Sequence, residues 1–199
     1  SIQVRECQSQ PRLQGRTLAD LLKDRGRPGT VDEAVEALIE LQREGGFIGI
    51  FQAMDEGDVR RIMKHPLAMF DTDGDLVEPS SGFPHPRSYG AFPRVLARYV
   101  RDQHLLTLEE AIKKMTSMPA QWWGQKDRGL LRPGMKADVV VFNAATIRDR
   151  STYTDPNHYS EGVVHLFING TPVLENGALT GNKPGRFLTR ASPAGNPQY

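Results

Sequence analysis

Asp73 and Arg87 are the two side chains of this 199-residue chain whose types and settings point to chemistry. Asp73 stands in Leu67-Ala-Met-Phe-Asp-Thr-Asp73-Gly74, where a short apolar run delivers a carboxylate onto a glycine turn. Parallel α/β barrels present their catalytic groups from this kind of position, at the C-terminal end of a strand. A carboxylate there can ligate a cation or accept a proton from an activated water. The competing reading is a turn aspartate, because Asp and Gly suit turn geometry on their own account. Asp71 and Asp75, on either side, read as loop acids.

Arg87 closes the run Pro84-His85-Pro86-Arg87. Its planar guanidinium suits a two-point clamp on a carboxylate, and the preceding proline restrains the backbone that presents it. Against this stands the default of a surface arginine behind a rigid segment. His85 either lines the same loop or is solvated. The five histidines, His65, His85, His104, His158 and His165, show no His-x-His on a strand and no His-x-x-x-His on a helix, so the sequence holds no metal-ligand cluster. Cys7 is the single cysteine, which excludes an internal disulfide framework and suits a reducing compartment; nothing nearby marks a base that would make it a nucleophile.

These side chains need elements to hold them. Hydrophobic residues make up 38% and charged residues 25%, ordinary for a chain that buries a core. A formal net charge of +1 gives no field to attract nucleic acid or an anionic membrane. Arg94, Arg98 and Arg101 form a basic helical stripe, read as a solvated face. No apolar run approaches the roughly 20 residues that span a bilayer, and Ser1-Ile-Gln-Val-Arg-Glu6 is too polar to open a signal peptide. The expected setting is cytoplasmic.

The pattern predicts a helix from Thr17 to Lys23. A second opens on a capping box, Thr30-Val-Asp-Glu33, and runs through Gln42 with Ala34, Ala37, Leu38 and Leu41 facing the core. Phe47–Phe51 reads as a buried strand. A helix capped by Asp55 follows through His65, with Val59, Ile62 and Met63 inward, and Leu67–Phe70 reads as the next strand. Helix, strand, helix, strand, with continuous rather than alternating apolar strands, is the signature of parallel α/β structure. A long Gly- and Pro-rich loop occupies Asp71 to Gly90, and loops of that length in a domain are usually functional. Helices are predicted at Pro93–Asp102 and after Thr107, with Trp122 and Trp123 as core aromatics. Beyond about residue 125 the character turns to β: Val139–Phe142, Gly162–Ile168 and Thr171–Leu174, with hairpin signals at Asn169-Gly170 and Asn176-Gly177.

Arg128-Gly129-Leu-Leu-Arg-Pro-Gly134-Met-Lys-Ala137-Asp138-Val-Val-Val-Phe142 resembles the segment by which amidohydrolase-superfamily enzymes return from their barrel to a small β-domain. Together with Thr72-Asp73-Gly74 and Pro84-His85-Pro86-Arg87, the chain is similar to the C-terminal part of an N-acyl-D-amino-acid deacylase. The likeness extends from Gln14-Gly15 through Pro184-Gly185-Arg186, and Asp73 through Leu96 is the part that favours deacylases over hydantoinases and dihydroorotases. The resemblance implies the C-terminal portion of a TIM-type (β/α)8 barrel over residues 1–124, a small β-sandwich domain over 125–190, and a flexible tail over 191–199.

The same resemblance implies a zinc-dependent hydrolase in which a metal-bound water attacks the acyl carbonyl. Asp73 would contact the metal and act as general base, and Arg87 would hold the α-carboxylate of an N-acyl-D-amino acid. Most metal ligands of such enzymes belong to earlier barrel strands, so this chain is expected to be inactive in isolation. A partial barrel also leaves strand edges open, so a companion N-terminal segment or self-association is expected to complete it. Two alternatives stay open: a fragment of a cyclic-amide hydrolase of the hydantoinase kind, and a non-catalytic structural or interaction module.

Overall fold

The computed structural model describes residues 1–78 and 82–190. The tail from residue 191, expected to be flexible, and residues 79–81 of the long loop lie outside these. The chain divides into two units, one formed by residues 1–59, 73–89 and 150–159, the other by 60–72, 90–149 and 160–199.

The first unit is built on β1 (Ile2–Glu6), α1 (Leu18–Asp24), α2 (Val31–Arg43) and β2 (Ile48–Phe51), with one 3-10 turn at Pro11–Leu13. Thr17 starts α1 with a full capping box: its hydroxyl accepts the Asp20 N–H, and the Asp20 carboxylate accepts the Thr17 N–H. Thr30 caps α2 by accepting the Glu33 N–H, but the expected return bond gives way to competition, because Glu33 lies 3.7 Å from Arg27. Ala37 and Leu41 on α2 are fully buried and join Val4, Cys7, Leu13, Leu18, Leu21 and Leu22 in one core, with Ala34 and Leu38 packed at its edge. The pattern at i, i+3, i+4 and i+7 is thus obeyed. Gly15 holds φ +80°, and a Cβ there would stand 2.5 Å from the Phe83 ring. The loop carrying Phe83 can close over β1 only because that position has no side chain.

β1 and β2 pair antiparallel, from Ile2 opposite Phe51 to Glu6 opposite Ile48. The register slips between Val4 and Glu6, a bulge at Arg5 of the kind that re-aims a side chain. This corrects the parallel arrangement expected of Phe47–Phe51. The companion strand expected at Leu67–Phe70 does not form either. A strand is a pairing relation, and among the described residues no parallel neighbour is present to pair with that run.

α3 (Glu56–Lys64) starts from Asp55, whose Oδ1 accepts the N–H groups of Gly57 and Asp58. Met63 is buried, whereas Ile62 is 56% exposed. Neighbouring helix positions are about 100° apart, so a narrow buried stripe takes one and leaves the other. α4 (Arg87–Arg94) begins six residues before the helix predicted at Pro93 and continues as π-type turns over Val95–Asp102. Pro93 lacks the N–H that would bond back to residue 89, and its ring crowds that carbonyl, which loosens the ladder where the wider turns begin.

In the second unit, α5 (Leu108–Met115) carries the Thr107/Glu110 capping box, and α6 (Ser117–Trp123) ends on Gly124. Trp122 and Trp123 are 63% and 41% exposed, correcting their expected place in the core. They lie with ring centroids 6.2 Å apart, and the Arg190 guanidinium stands over the Trp122 ring at 5.9 Å. The Arg94, Arg98 and Arg101 stripe is also not simply solvated: Arg94 pairs with Asp149 at 2.9 Å, and Arg101 donates to the Ile147 carbonyl at 2.6 Å. Lys114 is buried, its ammonium donating to the His65 and Ala68 carbonyls and facing the Phe70 ring at 5.8 Å. Its own carbonyl accepts the Phe70 N–H. The Leu67–Phe70 run is therefore pinned by one lysine in place of a strand neighbour.

β3 (Val139–Phe142), β4 (Val163–Ile168), β5 (Thr171–Glu175) and β6 (Ala178–Leu179) form one antiparallel sheet in chain order. Asn169 and Gly170 take φ 51° and 80°, the positive pair that a type I′ hairpin requires. Arg128 explains why its segment reads as a signature. Its guanidinium grips the Asp138 carboxylate and the Asn169 side-chain oxygen, while Asp138 accepts the Asn169 N–H at 2.8 Å. No helix of the described residues is long and apolar enough to cross a membrane.

Candidate functional site

The first unit brings Asp73 and Arg87 together. Arg87 is the first residue of α4, and its Nη2 lies 2.8 Å from Asp73 Oδ2. Asp73 is held at φ 42°, in the left-handed region that Asp tolerates better than most side chains. Its carboxylate is 78% exposed and the Arg87 guanidinium 42%, so both are open to a ligand.

The turn sits where it does because Gly74 allows it. A Cβ on Gly74 would lie 3.0 Å from Ser88 Cα and 3.3 Å from the Arg87 carbonyl oxygen. Next to it, the Asp75 N–H donates to Ser88 Oγ at 3.2 Å. The acidic turn and the start of α4 are thus in backbone contact. Of the flanking acids, Asp75 pairs with Arg5, the residue at the β1 bulge, at 2.5 Å. Asp71 accepts the Thr72 N–H at 2.6 Å. Both are loop acids, as read from the sequence.

His85 is neither free nor solvated. Its Nδ1 accepts the Arg87 backbone N–H at 3.1 Å, and its Nε2 stands 3.4 Å from the Tyr153 hydroxyl, with the two rings edge-on at 5.3 Å. Burial first, then the nearby Arg87 and Arg5 guanidinia, hold its imidazole below the ordinary histidine value. The Tyr153 carbonyl in turn accepts the side chain of Gln3, which is buried on β1 and also donates to the Gly15 carbonyl. A cavity of about 390 Å³, lined by Arg5, Glu6, Gln14, Leu76, Phe83 and Pro84 among others, adjoins this arrangement. It is in the size range of small-molecule sites.

Sequence reasoning singled out Asp73 and Arg87, which the structure brings together, but did not single out Tyr153, Gln3, Arg5 or Ser88 around them. Tyr153 lies 68 residues from His85, and no local pattern encodes that pairing. Arg5 had no local signal, since β1 mixes apolar and polar residues, and the bulge at that position is invisible without the partner strand. The remaining histidines do not converge: among the described residues no group of three His, Cys, Asp or Glu side chains could hold a metal ion.

The site is thus an acidic turn facing a helix-borne arginine, on a chain of mixed helix and sheet. Residues 20–174 match the Amidohydrolase family, and the chain belongs to that family. It is 48% identical over 151 residues to the N-acyl-D-glutamate deacylase of Alcaligenes xylosoxydans xylosoxydans, an alignment covering 75% of this chain and 30% of that enzyme. The crystal structure of a D-aminoacylase superposes with a TM-score of 0.84 at 37% identity, over 95% of this chain and 38% of that one. A second structure, the N-acyl-D-glutamate deacylase of Bordetella bronchiseptica with zinc and a phosphonate mimic of the tetrahedral intermediate, gives 0.80 at 37% identity, over 96% and 37%. The chain spans 30% to 36% of the length of its N-acyl-D-glutamate deacylase and D-aminoacylase relatives.

The depressed His85 fixes a pH dependence. The unfolded chain takes up a proton at the ordinary value of 6.5, whereas the folded chain resists until a lower pH. The unfolded state therefore binds more protons in that window, and stability falls as pH drops through it. Denaturation midpoints followed from about pH 8 down to about pH 5 should show this loss, and a His85→Asn variant, which cannot titrate there, should show a smaller one. Identical slopes in the two proteins would remove His85 as the cause.

Proposed function

We propose that this chain is the C-terminal part of a zinc-dependent amidohydrolase that cleaves the N-acyl amide bond of N-acyl-D-amino acids. In this reading, residues 1–124 supply the last strands and helices of a (β/α)8 barrel and residues 125–190 a small β-domain, in a cytoplasmic enzyme. One observation carries it: Asp73 and Arg87 meet at 2.8 Å at the start of α4, in a chain 48% identical to an N-acyl-D-glutamate deacylase.

Each side chain has one task. Arg87 receives the α-carboxylate of the substrate through the fork geometry that suits it. Water attacks the acyl carbonyl, Asp73 takes the proton, and the same proton passes to the amine as the C–N bond breaks. The exposure of both groups suits this work, because each must exchange its partner for a ligand.

The metal does not fit this chain alone. Zinc would supply Lewis-acid activation, but catalytic zinc sites use about three protein ligands, and Asp73 offers one carboxylate. The other ligands would come from polypeptide outside the described residues, as a companion N-terminal segment or through self-association.

Three outcomes test the proposal. Metal analysis of the dialysed 199-residue chain should find no stoichiometric zinc, and the same preparation should not hydrolyse N-acyl-D-amino acids; zinc held at one equivalent would contradict the assignment of the ligands. In the complete enzyme, Asp73→Asn should lower kcat by about 10² to 10⁴-fold with the fold preserved, since the amide is nearly isosteric but accepts no proton. Near-parental turnover would remove Asp73 from the role. Arg87→Lys should lower kcat/KM about 10- to 160-fold, the equivalent of roughly 1.5 to 3 kcal/mol for hydrogen bonds to a charged group. An ammonium cannot reproduce two parallel hydrogen bonds. On an N-acyl amine without the carboxylate the same change should matter little, and equal losses on both substrates would show that Arg87 supports the loop instead.

A further inference from the structure

We propose that His85 is the positioning residue for Arg87, setting its approach to the substrate carboxylate through Nδ1 as the neutral imidazole that carries its proton on Nε2. The inference deepens the reading above and rests on it for the task of Arg87, but its own basis is the contact geometry of the loop.

Arg87 opens α4, and the first N–H groups of a helix have no partner within it. Such donors are ordinarily taken by Ser, Thr, Asp or Asn just before the helix. Here the sequence offers Pro84-His85-Pro86, and the imidazole does the work. Nδ1 accepts the Arg87 N–H at 3.1 Å, while the His85 carbonyl accepts the Ser88 N–H at 2.9 Å. One residue thus satisfies two successive donors of the first turn. Pro86 lacks an N–H, so no other backbone donor between His85 and Arg87 competes for Nδ1.

A nitrogen that accepts carries a lone pair, which assigns the proton of the neutral ring to Nε2. Nε2 lies 3.4 Å from the Tyr153 hydroxyl, and the rings meet edge-on with an interplanar angle of 83°. Tyr153 is itself tethered: its carbonyl accepts the Gln3 side chain at 2.6 Å, and Gln3 is 4% exposed. The imidazole therefore bridges a half-exposed arginine to a buried amide on β1. Burial and the two guanidinia near the ring, Arg87 and Arg5, favour the neutral form that this contact needs, with Asp73 opposing them. A helix could be capped by many side chains. The double fixing of this ring, from the arginine on one edge and the tyrosine on the other, is what makes His85 a setting device for Arg87 and more than a cap.

Substitutions separate the two edges of the ring. In the complete enzyme, His85→Leu should raise KM for an N-acyl-D-amino acid by about 2- to 10-fold, the scale of one net hydrogen bond. kcat should change little, and an N-acyl amine without the carboxylate should be unaffected. His85→Asn, whose Oδ1 can replace Nδ1 as acceptor, should recover most of the loss. His85→Gln, whose amide reaches toward the Nε2 position, should recover less. Equal KM increases on both substrates, or a glutamine rescue as good as the asparagine one, would overturn the proposal. The second measurement needs neither activity nor a variant that folds. The ¹⁵N spectrum of His85 in the wild-type chain at neutral pH should show an unprotonated Nδ1 and a protonated Nε2, and a proton on Nδ1 would overturn the assignment. If the wild-type enzyme fails to cleave N-acyl-D-amino acids, the proposed function falls, and the nitrogen spectrum alone decides whether His85 holds Arg87.

Discussion

The close approach of Gly74 to the backbone of Arg87 and Ser88 is the constraint on which the site depends. At 3.0 Å from Ser88 Cα, even a methyl group at Gly74 would need the first turn of α4 to move. With glycine there, three contacts close at once: Asp73 with Arg87, the Asp75 N–H with Ser88 Oγ, and Asp75 with Arg5. None of these is strong alone. Exposed ion pairs contribute about 0 to 1 kcal/mol, so their joint appearance reports that the backbone has already placed the groups. Geometry comes first here and electrostatics follows it.

That ordering explains what the sequence revealed and what it withheld. Features set by neighbours in the chain were legible: the Thr17 and Thr107 capping boxes, the Asp55 cap, and the Asn169-Gly170 turn, where two positive φ angles need just those residue types. Asp73 and Arg87 could be singled out because their chemistry was unusual for their loop and because the segment resembled a family. Their contact could not be read, since the 13 intervening residues encode no distance. The Leu67–Phe70 run failed as a strand for the same reason. Its apolar composition is local, but pairing is not, and Lys114 takes over a task that sequence pattern assigns to a neighbouring strand. Trp122 and Trp123 mark the converse error. Aromatic content predicted burial, yet burial belongs to whatever surface lies opposite, and what stands over Trp122 is a single guanidinium, that of Arg190.

The Arg128 network shows why a family-wide segment and a functional site answer different questions. Arg128, Asp138 and Asn169 tie the start of the β-region to its first hairpin, and none of their bonds faces a reacting group. Their arrangement accounts for a recognisable run around Gly129 to Phe142 on structural grounds alone. Membership of the amidohydrolase family can therefore be legible in residues that carry no chemistry, while the residues proposed to read the substrate lie in the separate loop from Asp73 to Arg87.

Weakness of the Asp73–Arg87 pair is itself consistent with the proposed function. A buried ion pair would be costly to break, because separating it strands a charge. An exposed one loses little when either member changes partner. With Asp73 at 78% exposure and Arg87 at 42%, the pair can open toward a substrate carboxylate at Arg87 and toward water at Asp73. What must not open is the backbone beneath them. Gly74 against Ser88, and the Arg87 N–H on the imidazole of His85, hold the two residues at the mouth of the site while their charged ends remain exchangeable. The site thus combines a fixed main chain with loosely partnered side chains, the combination that the proposed task of Arg87 requires, since its guanidinium must exchange Asp73 for a ligand.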